Sequence, residues 1–109
     1  MKSNYHSPLR LDDNGKRIRA AGPLLWDTPN EERIRVISTI TQGTAIATGT
    51  SGDRQRNDDE WDYDARVADD GDAFEPGQAT AVGVIQVVEP DGRVGLLAPW
   101  TQVVTLVAH

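Results

Sequence analysis

Carboxylates are the side chains of this sequence whose number and spacing could support chemistry. Residues 53–75 contain ten of the seventeen acidic residues and three arginines, a net charge of −7 within a chain of net charge −6. Two carboxyl groups about 5 to 9 Å apart can cleave a glycosidic bond. The acid of such a pair must be shielded from water, whereas acidic side chains crowded into a polar loop are solvated. The sequence therefore predicts no catalytic residues and no enzyme, with a carboxylate-dependent enzyme as the least favoured alternative.

The same segment contains oxygen ligands of the kind that Ca²⁺ prefers. The EF-hand spacing is absent, because counting from Asp62 puts Arg66 at the third ligand position and Val67 at the position of the required glycine. We therefore interpret the cluster as a solvated turn and predict no cofactor, with an irregular Ca²⁺ site as the alternative. The four candidate metal ligands are Asp69, Asp70, Asp72 and Glu75.

Other reactive groups are scarce. The chain has no cysteine, which excludes disulfides and thiolate metal sites. Its two histidines, His6 and His109, lie near the ends of the sequence, where nothing predicts the fixed geometry that a catalytic base requires. No glycine-rich segment leads into a helix, so a phosphate-binding loop is not predicted.

Aromatic side chains supply the candidates for a partner-binding surface. Trp61 and Tyr63 share one face of an alternating segment within the acidic region. A second apolar cluster lies outside any regular pattern and either covers the core of its own chain or covers a partner. The five candidates for partner binding are Leu24, Leu25, Trp26, Trp61 and Tyr63.

Charge and hydropathy restrict the partners and the location. Lysine and arginine are not clustered, so direct binding to nucleic acid is not predicted, although the acidic segment could attract a basic protein. No run approaches the ~20 apolar residues needed to cross a bilayer, and the N-terminal residues contain no signal-peptide core. We therefore predict no membrane partner and a cytoplasmic location, or a virion or other particle assembled from the cytoplasm.

The stretch from Gly77 to Val107 has the clearest secondary-structure pattern. Residues 79–88 are β-branched or small except Gln86, and Pro90-Asp91-Gly92 supplies turn residues, which predicts a hairpin of residues 79–89 with residues 93–98. Residues 101–107 predict a further strand. Both faces of residues 79–88 are largely apolar, which predicts a central strand covered on both sides, with Ile85 and Val87 in the core.

Alternating patterns predict additional strands at residues 33–41, 44–50 and 61–67. Residues 1–23 predict an N-terminal arm with a small hairpin around Asn14-Gly15, which must dock on its own domain or on a neighbouring subunit. The predicted fold is all-β: a small antiparallel β-sandwich of six to eight strands, immunoglobulin-like or jelly-roll-like. Residues 24–109 form this single domain, and the arm extends from it.

These patterns favour a non-enzymatic interaction or structural subunit that forms homo-oligomers through its N-terminal arm. A component of a phage or of another particle fits this description. The alternative is a ligand-binding module whose acidic Trp/Tyr segment takes a basic protein, Ca²⁺ or a carbohydrate. Fold analogy alone does not decide between them.

The acidic segment generates the first testable prediction. Its self-repulsion should be screened by monovalent salt, with a Debye length of about 8 Å at physiological ionic strength. We therefore expect millimolar Ca²⁺ to leave the Tm unchanged relative to NaCl of matched ionic strength in a thermal melt. A saturable rise in Tm that is lost in Asp70→Asn would instead establish a Ca²⁺ site, because a ligand of the folded state stabilises it by mass action.

Overall fold

The computed structural model describes residues 4–23, 33–51, 54–55, 60–68, 70–88, 91–96 and 99–108. Within these residues the only helical segment is a short 3₁₀ turn, Asp13–Gly15, and the predicted all-β class is confirmed. The described strands are β1 (Leu9–Asp12), β2 (Arg17–Pro23), β3 (Arg33–Gln42), β4 (Ala45–Thr50), β5 (Arg54–Gln55), β6 (Glu60–Val67), β7 (Gly77–Val88), β8 (Val94–Leu96) and β9 (Trp100–Ala108).

Seven of these strands close into a barrel. Their order around it is β3-β4-β6-β2-β1-β9-β7, and β7 pairs back with β3. Every described pairing is antiparallel except that of β1 with β9, which is parallel. The predicted sandwich is not confirmed, because one continuous sheet closes on itself instead of packing against a second sheet.

Each of the two longest strands pairs with the strand that follows it, and the predicted hairpin of residues 79–89 with residues 93–98 is confirmed. β3 and β4 are joined by Gly43 and Thr44, and Gly43 has the positive φ of 61° that this tight turn requires. Two strands pair with β7 on the same edge. The β8 ladder includes the pair Gln86–Leu96, and the β9 ladder begins at the pair Gly83–Trp100. The register shifts by one residue between these two ladders, and both β8 and β9 are antiparallel to β7.

β4 and β5 pair in turn with the same edge of β3, and the register shifts by one residue between these two ladders. Ser51 follows β4: its backbone N–H donates to Val36 O at 2.9 Å, and its buried hydroxyl accepts from Val36 N–H at 2.9 Å. The hydroxyl therefore satisfies a buried backbone N–H of β3. β3 and β7 continue past the barrel, where β5 pairs with β3 and β8 pairs with β7.

The interior contains the alternating residues of every barrel strand, as period-2 geometry requires. Ile85 and Val87 are 3% and 8% exposed, so their predicted burial is confirmed. Gly83 admits the indole of Trp100, because a Cβ at that position would collide with the ring. The largest interior apolar side chains with almost no exposure are Trp61, Ile18, Ile34, Ile40, Leu106, Val36 and Val104.

The lower end of the barrel, where β2 ends and β3 begins, is filled by Tyr5. Its backbone N–H donates to Gln102 Oε1 at 2.8 Å, and Gln102 Nε2 donates to its carbonyl at 2.9 Å. Its hydroxyl forms a hydrogen bond with Ser38 Oγ, and its ring meets Trp61 edge-on with centroids 5.4 Å apart. The residues before β1 therefore continue the barrel wall between β2 and β9.

The segment predicted as an arm is thus largely part of the barrel. Residues 9–23 supply β1 and β2, which pair with each other and with β9 and β6. The expected two-residue turn at Asn14-Gly15 is instead a four-residue loop between Asp12 and Arg17. Asp13, Asn14 and Gly15 all have positive φ there, which Asp and Asn tolerate better than most residues.

The upper end of the barrel is closed by the loop of residues 68–76, of which residue 69 lies outside the described part. Phe74, only 3% exposed, reaches the interior, and its N–H donates to Gly15 O at 2.8 Å. Gln42 holds the next residue, accepting from Glu75 N–H at 2.8 Å and donating to its carbonyl at 2.9 Å. The end of the acidic segment is therefore a structured lid.

The central position of β7 can be tested in the core. Ile85→Ala should lower the free energy of unfolding by about 2–5 kcal/mol, because it leaves a cavity among packed side chains. Val94→Ala is the control, since Val94 is 59% exposed and should change stability by less than about 0.5 kcal/mol. Denaturant unfolding with unchanged m-values measures both. Equal effects of the two substitutions would place the core elsewhere.

Candidate interaction surface

The outer wall of the barrel divides into two halves of different character. On β1, β2 and β6 the outward side chains are mostly charged, and they form ion pairs across the strands. Arg17 lies 3.4 Å from Asp12, and Arg19 pairs with both Asp62 and Asp64. We call this half the charged wall; its charged residues are Arg10, Asp12, Arg17, Arg19, Glu60, Asp62, Asp64 and Arg66.

The other half lies on β4, β3, β7 and β9, and none of its twelve outward side chains between the two barrel ends is charged. Each of the twelve is Thr, Val or Ile. The middle row runs across the four strands, because Thr39 pairs with Val82, Thr48 with Thr39, and Val82 with Thr101. We call this half the uncharged wall; it comprises Ile37, Thr39, Thr41, Ile46, Thr48, Thr50, Thr80, Val82, Val84, Thr101, Val103 and Thr105.

Strand propensity explains only part of the uncharged wall. β-Branched residues fit a pleated surface, so their abundance is expected. The absence of charged side chains is not expected, since charged residues are 26% of the chain and normally cover water-facing strands. Ile46 and Val103 are 54% and 62% exposed. The prediction that β7 is covered on both faces is met only on its inner face. An uncharged surface with exposed aliphatic side chains is a candidate for an interaction surface.

Among the residues that the structure describes, charged side chains lie at both ends of the uncharged wall. Below it, Arg33 and Arg35 continue the outward row of β3 and are exposed. Above it lie Asp72 and Glu75 of the lid, both exposed. The Thr44 hydroxyl in the β3–β4 turn donates to the Asp72 carboxylate, which fixes that charge beside the upper end of β3. We call these two pairs the lower rim and the upper rim.

A shallow depression of about 260 Å³ lies at the upper margin of the same wall. Thr41, Thr80 and Val103 of the wall line it together with neighbouring residues of the β3–β4 turn and β7. Its lining carries no charge, and an exposed valine lies at its edge. The wall is therefore uneven at the scale of one side chain, and the depression could accept a side chain of an opposing surface.

Of the five partner-binding residues predicted from the sequence, the structure describes the side chain of Trp61 alone. Trp61 is fully buried in the core against Tyr5, so its indole offers no face to a partner. Tyr63 lies in β6, but its side chain lies outside the described residues, as do Leu24, Leu25 and Trp26. Trp61 is thus a core residue, and the other four assignments remain predictions.

The predicted metal ligands are spread along the lid. Asp70 is exposed, Asp72 accepts a hydrogen bond from Thr44, the backbone of Glu75 is held by Gln42, and Asp69 lies outside the described residues. Among the residues that the structure describes, no three acidic, histidine or cysteine side chains converge as a metal site would require. A Ca²⁺ site in this segment therefore remains the alternative to the predicted solvated turn.

His6 approaches Glu60 at the lower end, with 3.0 Å between Nε2 and Oε1. Its backbone is fixed, since its N–H donates to Ala21 O at 2.9 Å, yet both side chains are at least half exposed. A solvated pair outside a cleft is a surface contact, and the shielding that acid–base chemistry needs is lacking there.

The described residues also include no helix of the length and apolarity that a membrane span requires.

No protein-family model matches the chain, and no curated protein is significantly similar to it.

The uncharged wall was missed by sequence reasoning because its members come from four separated strands. The signal was nevertheless present in each strand. Thr39 and Thr41, Thr48 and Thr50, and Thr101 with Val103 all recur at the period of two that places side chains on one face. Only the barrel order, which sets β4, β3, β7 and β9 side by side, turns these short runs into one surface.

The reassignment of Trp61 can be tested by its stability effect. Trp61→Ala should lower the free energy of unfolding by about 3–5 kcal/mol, as large aromatic truncations in a core do. Arg66→Ala, on the exposed face of the same strand, should cost no more than about 0.5 kcal/mol. Chemical denaturation of both variants provides the measurement. A near-neutral Trp61→Ala would return this residue to the list of surface candidates.

Proposed function

We propose that the protein is a non-enzymatic interaction or structural subunit that associates with copies of itself through the uncharged wall. The observation that supports this is the absence of charge from twelve contiguous outward side chains. A second copy is the partner that this surface fits best, because a β-branched surface with no charge can be complementary to itself.

Electrostatics also favours this location for contact between copies. Two chains of net charge −6 repel each other. The uncharged wall is where they can approach without placing like charges together, and no ionised group there must lose its hydration. The methyl groups of Thr, Val and Ile would leave water on contact, which is favourable by about 25 cal/mol per Å² of apolar surface.

The size of the wall sets the strength of the contact. Four strands about 4.8 Å apart and three rows about 6.8 Å apart cover roughly 400 Å². This is about half of the ~800 Å² that each partner of a standard interface contributes. We therefore expect an association that dissociates on dilution. Weak contacts of this kind suit a particle subunit, in which many copies and several contacts act together.

The proposed contact differs from the arm-mediated route that the sequence suggested. Residues 9–23 pair within their own barrel, and Tyr5 fills its lower end. An arm used in this way stabilises the subunit itself. Its removal would take β1 and β2 out of the barrel and expose the edges of β6 and β9, so a deletion of the N-terminal residues would not separate association from folding.

Substitution of the middle row tests the proposed function. The wild-type mass, measured by sedimentation or light scattering, should rise with concentration above that of one chain. Thr39→Lys with Val82→Lys should give a monomer across the same range, because two buried lysines per copy would face each other without counterions. Ala21→Lys, which adds a lysine to the charged wall, is the control and should leave the association unchanged.

Three outcomes are decisive. A wild-type protein that remains monomeric at millimolar concentration contradicts the proposal and moves the ligand-binding module into first place. Association that survives both lysines locates the contact elsewhere. Loss of association in the control as well would show a general effect of added charge, and circular dichroism of each variant verifies that the barrel is intact.

A further inference from the structure

A cavity separate from the depression on the uncharged wall lies at the upper end of the barrel. It measures about 350 Å³ and is lined by the turn between β1 and β2, by the lid and by the end of β9. The strand register explains why space remains there. Leu11 of β1 pairs with Ala108 at the end of β9, whereas β7 begins at Gly77, opposite Leu106. The end of β9 therefore extends beyond β7, and Pro76 of the lid lines the space that is left.

The walls of this cavity are fixed by hydrogen bonds. The Lys16 N–H donates to Asp13 O at 3.1 Å, which closes the turn after β1, and the Phe74 N–H donates to Gly15 O at 2.8 Å. A Cβ at Gly15 would collide with Phe74 O, so the turn and the lid touch directly. Cavities that bind small molecules are usually pre-formed in this way.

The floor of the cavity is apolar. Leu11 and Phe74 are buried beneath it, and Pro76 and Ala108 add further apolar surface. Its volume of about 350 Å³ lies at the lower end of the range of roughly 300–1,000 Å³ that ligand pockets occupy. Such pockets are mostly apolar and contain a few polar groups that orient the ligand. The cavity therefore has the size and the floor that a small organic molecule needs.

The turn supplies the polar groups of the cavity, and these favour a positively charged ligand. Two lining residues are carboxylates, Asp12 and Asp13, the next is the amide Asn14, and no lining residue is basic. Asp12 lies 3.4 Å from Arg17. The exposed carboxylate of Asp13, in contrast, forms no ion pair or hydrogen bond with the part of the chain that the structure describes. One acceptor of negative charge is thus available beside an apolar floor.

From this lining we infer that the cavity binds a small organic amine. The ammonium group donates to the carboxylate of Asp13 and to the amide oxygen of Asn14, and the apolar body of the ligand lies on Leu11 and Phe74. Hydrogen bonds between charged groups are stronger than those between neutral ones. An anion would be repelled by the two carboxylates, and Ca²⁺ would need six to eight oxygen ligands, which an apolar floor does not offer. This inference goes beyond the proposed function and does not depend on it.

Titration with 2-phenylethylamine, followed by NMR, provides the first test. The backbone amide signals of Leu11, Gly15, Phe74 and Ala108 should shift with one common Kd of about 1 mM, as expected for a ligand of this size. 2-Phenylethanol and 3-phenylpropanoate carry a neutral and an anionic head on a similar body, and each should bind at least about fivefold more weakly. No saturable shift at these four residues overturns the inference. An alcohol or an acid that binds as tightly as the amine overturns it as well.

Removal of one negative charge isolates the role of the carboxylate. Asp13→Asn introduces a residue that tolerates the positive φ of 53° at this position. It should raise the Kd of the amine at least about fivefold, to that of the alcohol. Asp91→Asn, in the turn before β8, changes the net charge equally and should leave the Kd within about twofold. Equal effects of the two substitutions would indicate a general effect of net charge and overturn the inference.

A substitution that fills the cavity tests the location of the ligand. Ala108 lies on the same face of β9 as the buried Leu106, so the side chain of Ala108→Leu should occupy the cavity and weaken binding of the amine and the alcohol alike. Circular dichroism verifies that the barrel is intact, and an unchanged Kd in the folded variant would overturn the inference. The lysine pair at Thr39 and Val82 should leave amine binding unchanged, so a failure of this inference and a failure of the proposed function can be told apart.

Discussion

Closure of the sheet by the parallel pairing of β1 with β9 is the constraint on which the other features of this barrel depend. Leu9 pairs with Leu106, and Leu11 with Ala108, while the other edge of β1 pairs with β2. A closed barrel has no free strand edges along its wall, which removes the usual sites of unwanted strand pairing. It also creates two open ends, and each end must be filled before the interior is dry.

The interior composition follows from this closure. A barrel of seven strands is narrow, so large side chains need small neighbours. Ala47, Ala65 and Ala81 are fully buried beside the larger aliphatic residues. Gly83 makes room for Trp100, and Tyr5 completes the aromatic cluster at the lower end with ring centroids 5.5 Å from Trp100. The paired hydrogen bonds of Gln102 with Tyr5 satisfy polar groups that burial would otherwise penalise.

The sequence predicted the local structure better than the way its elements assemble. The alternation in β3, β6 and β7 and the turn before β8 were sufficient to identify strands and hairpins, since these depend on period and turn chemistry. Barrel closure depends on pairings between strands far apart in the chain, such as β1 with β9, which no local pattern encodes. Trp61 was ambiguous for the same reason: alternation predicts that it shares a face with Tyr63 but not which face is inside. The uncharged wall needed both the alternation and the barrel order.

The acidic segment shows how closure and surface chemistry are linked. Phe74, near the end of this segment, fills the upper end of the barrel, while the backbone of Phe74 and Glu75 is held by Gly15 and Gln42. A Cβ at Gly15 would collide with the carbonyl oxygen of Phe74, so this close approach requires glycine. Carboxylates in a lid of this kind remain outside, because water solvates them better than the interior does. The need to close the barrel therefore also places Asp72 and Glu75 at one margin of the uncharged wall. The outward alternation of β3 places Arg33 and Arg35 at the other margin, so the charged residues at that margin follow from the same strand that forms the centre of this surface.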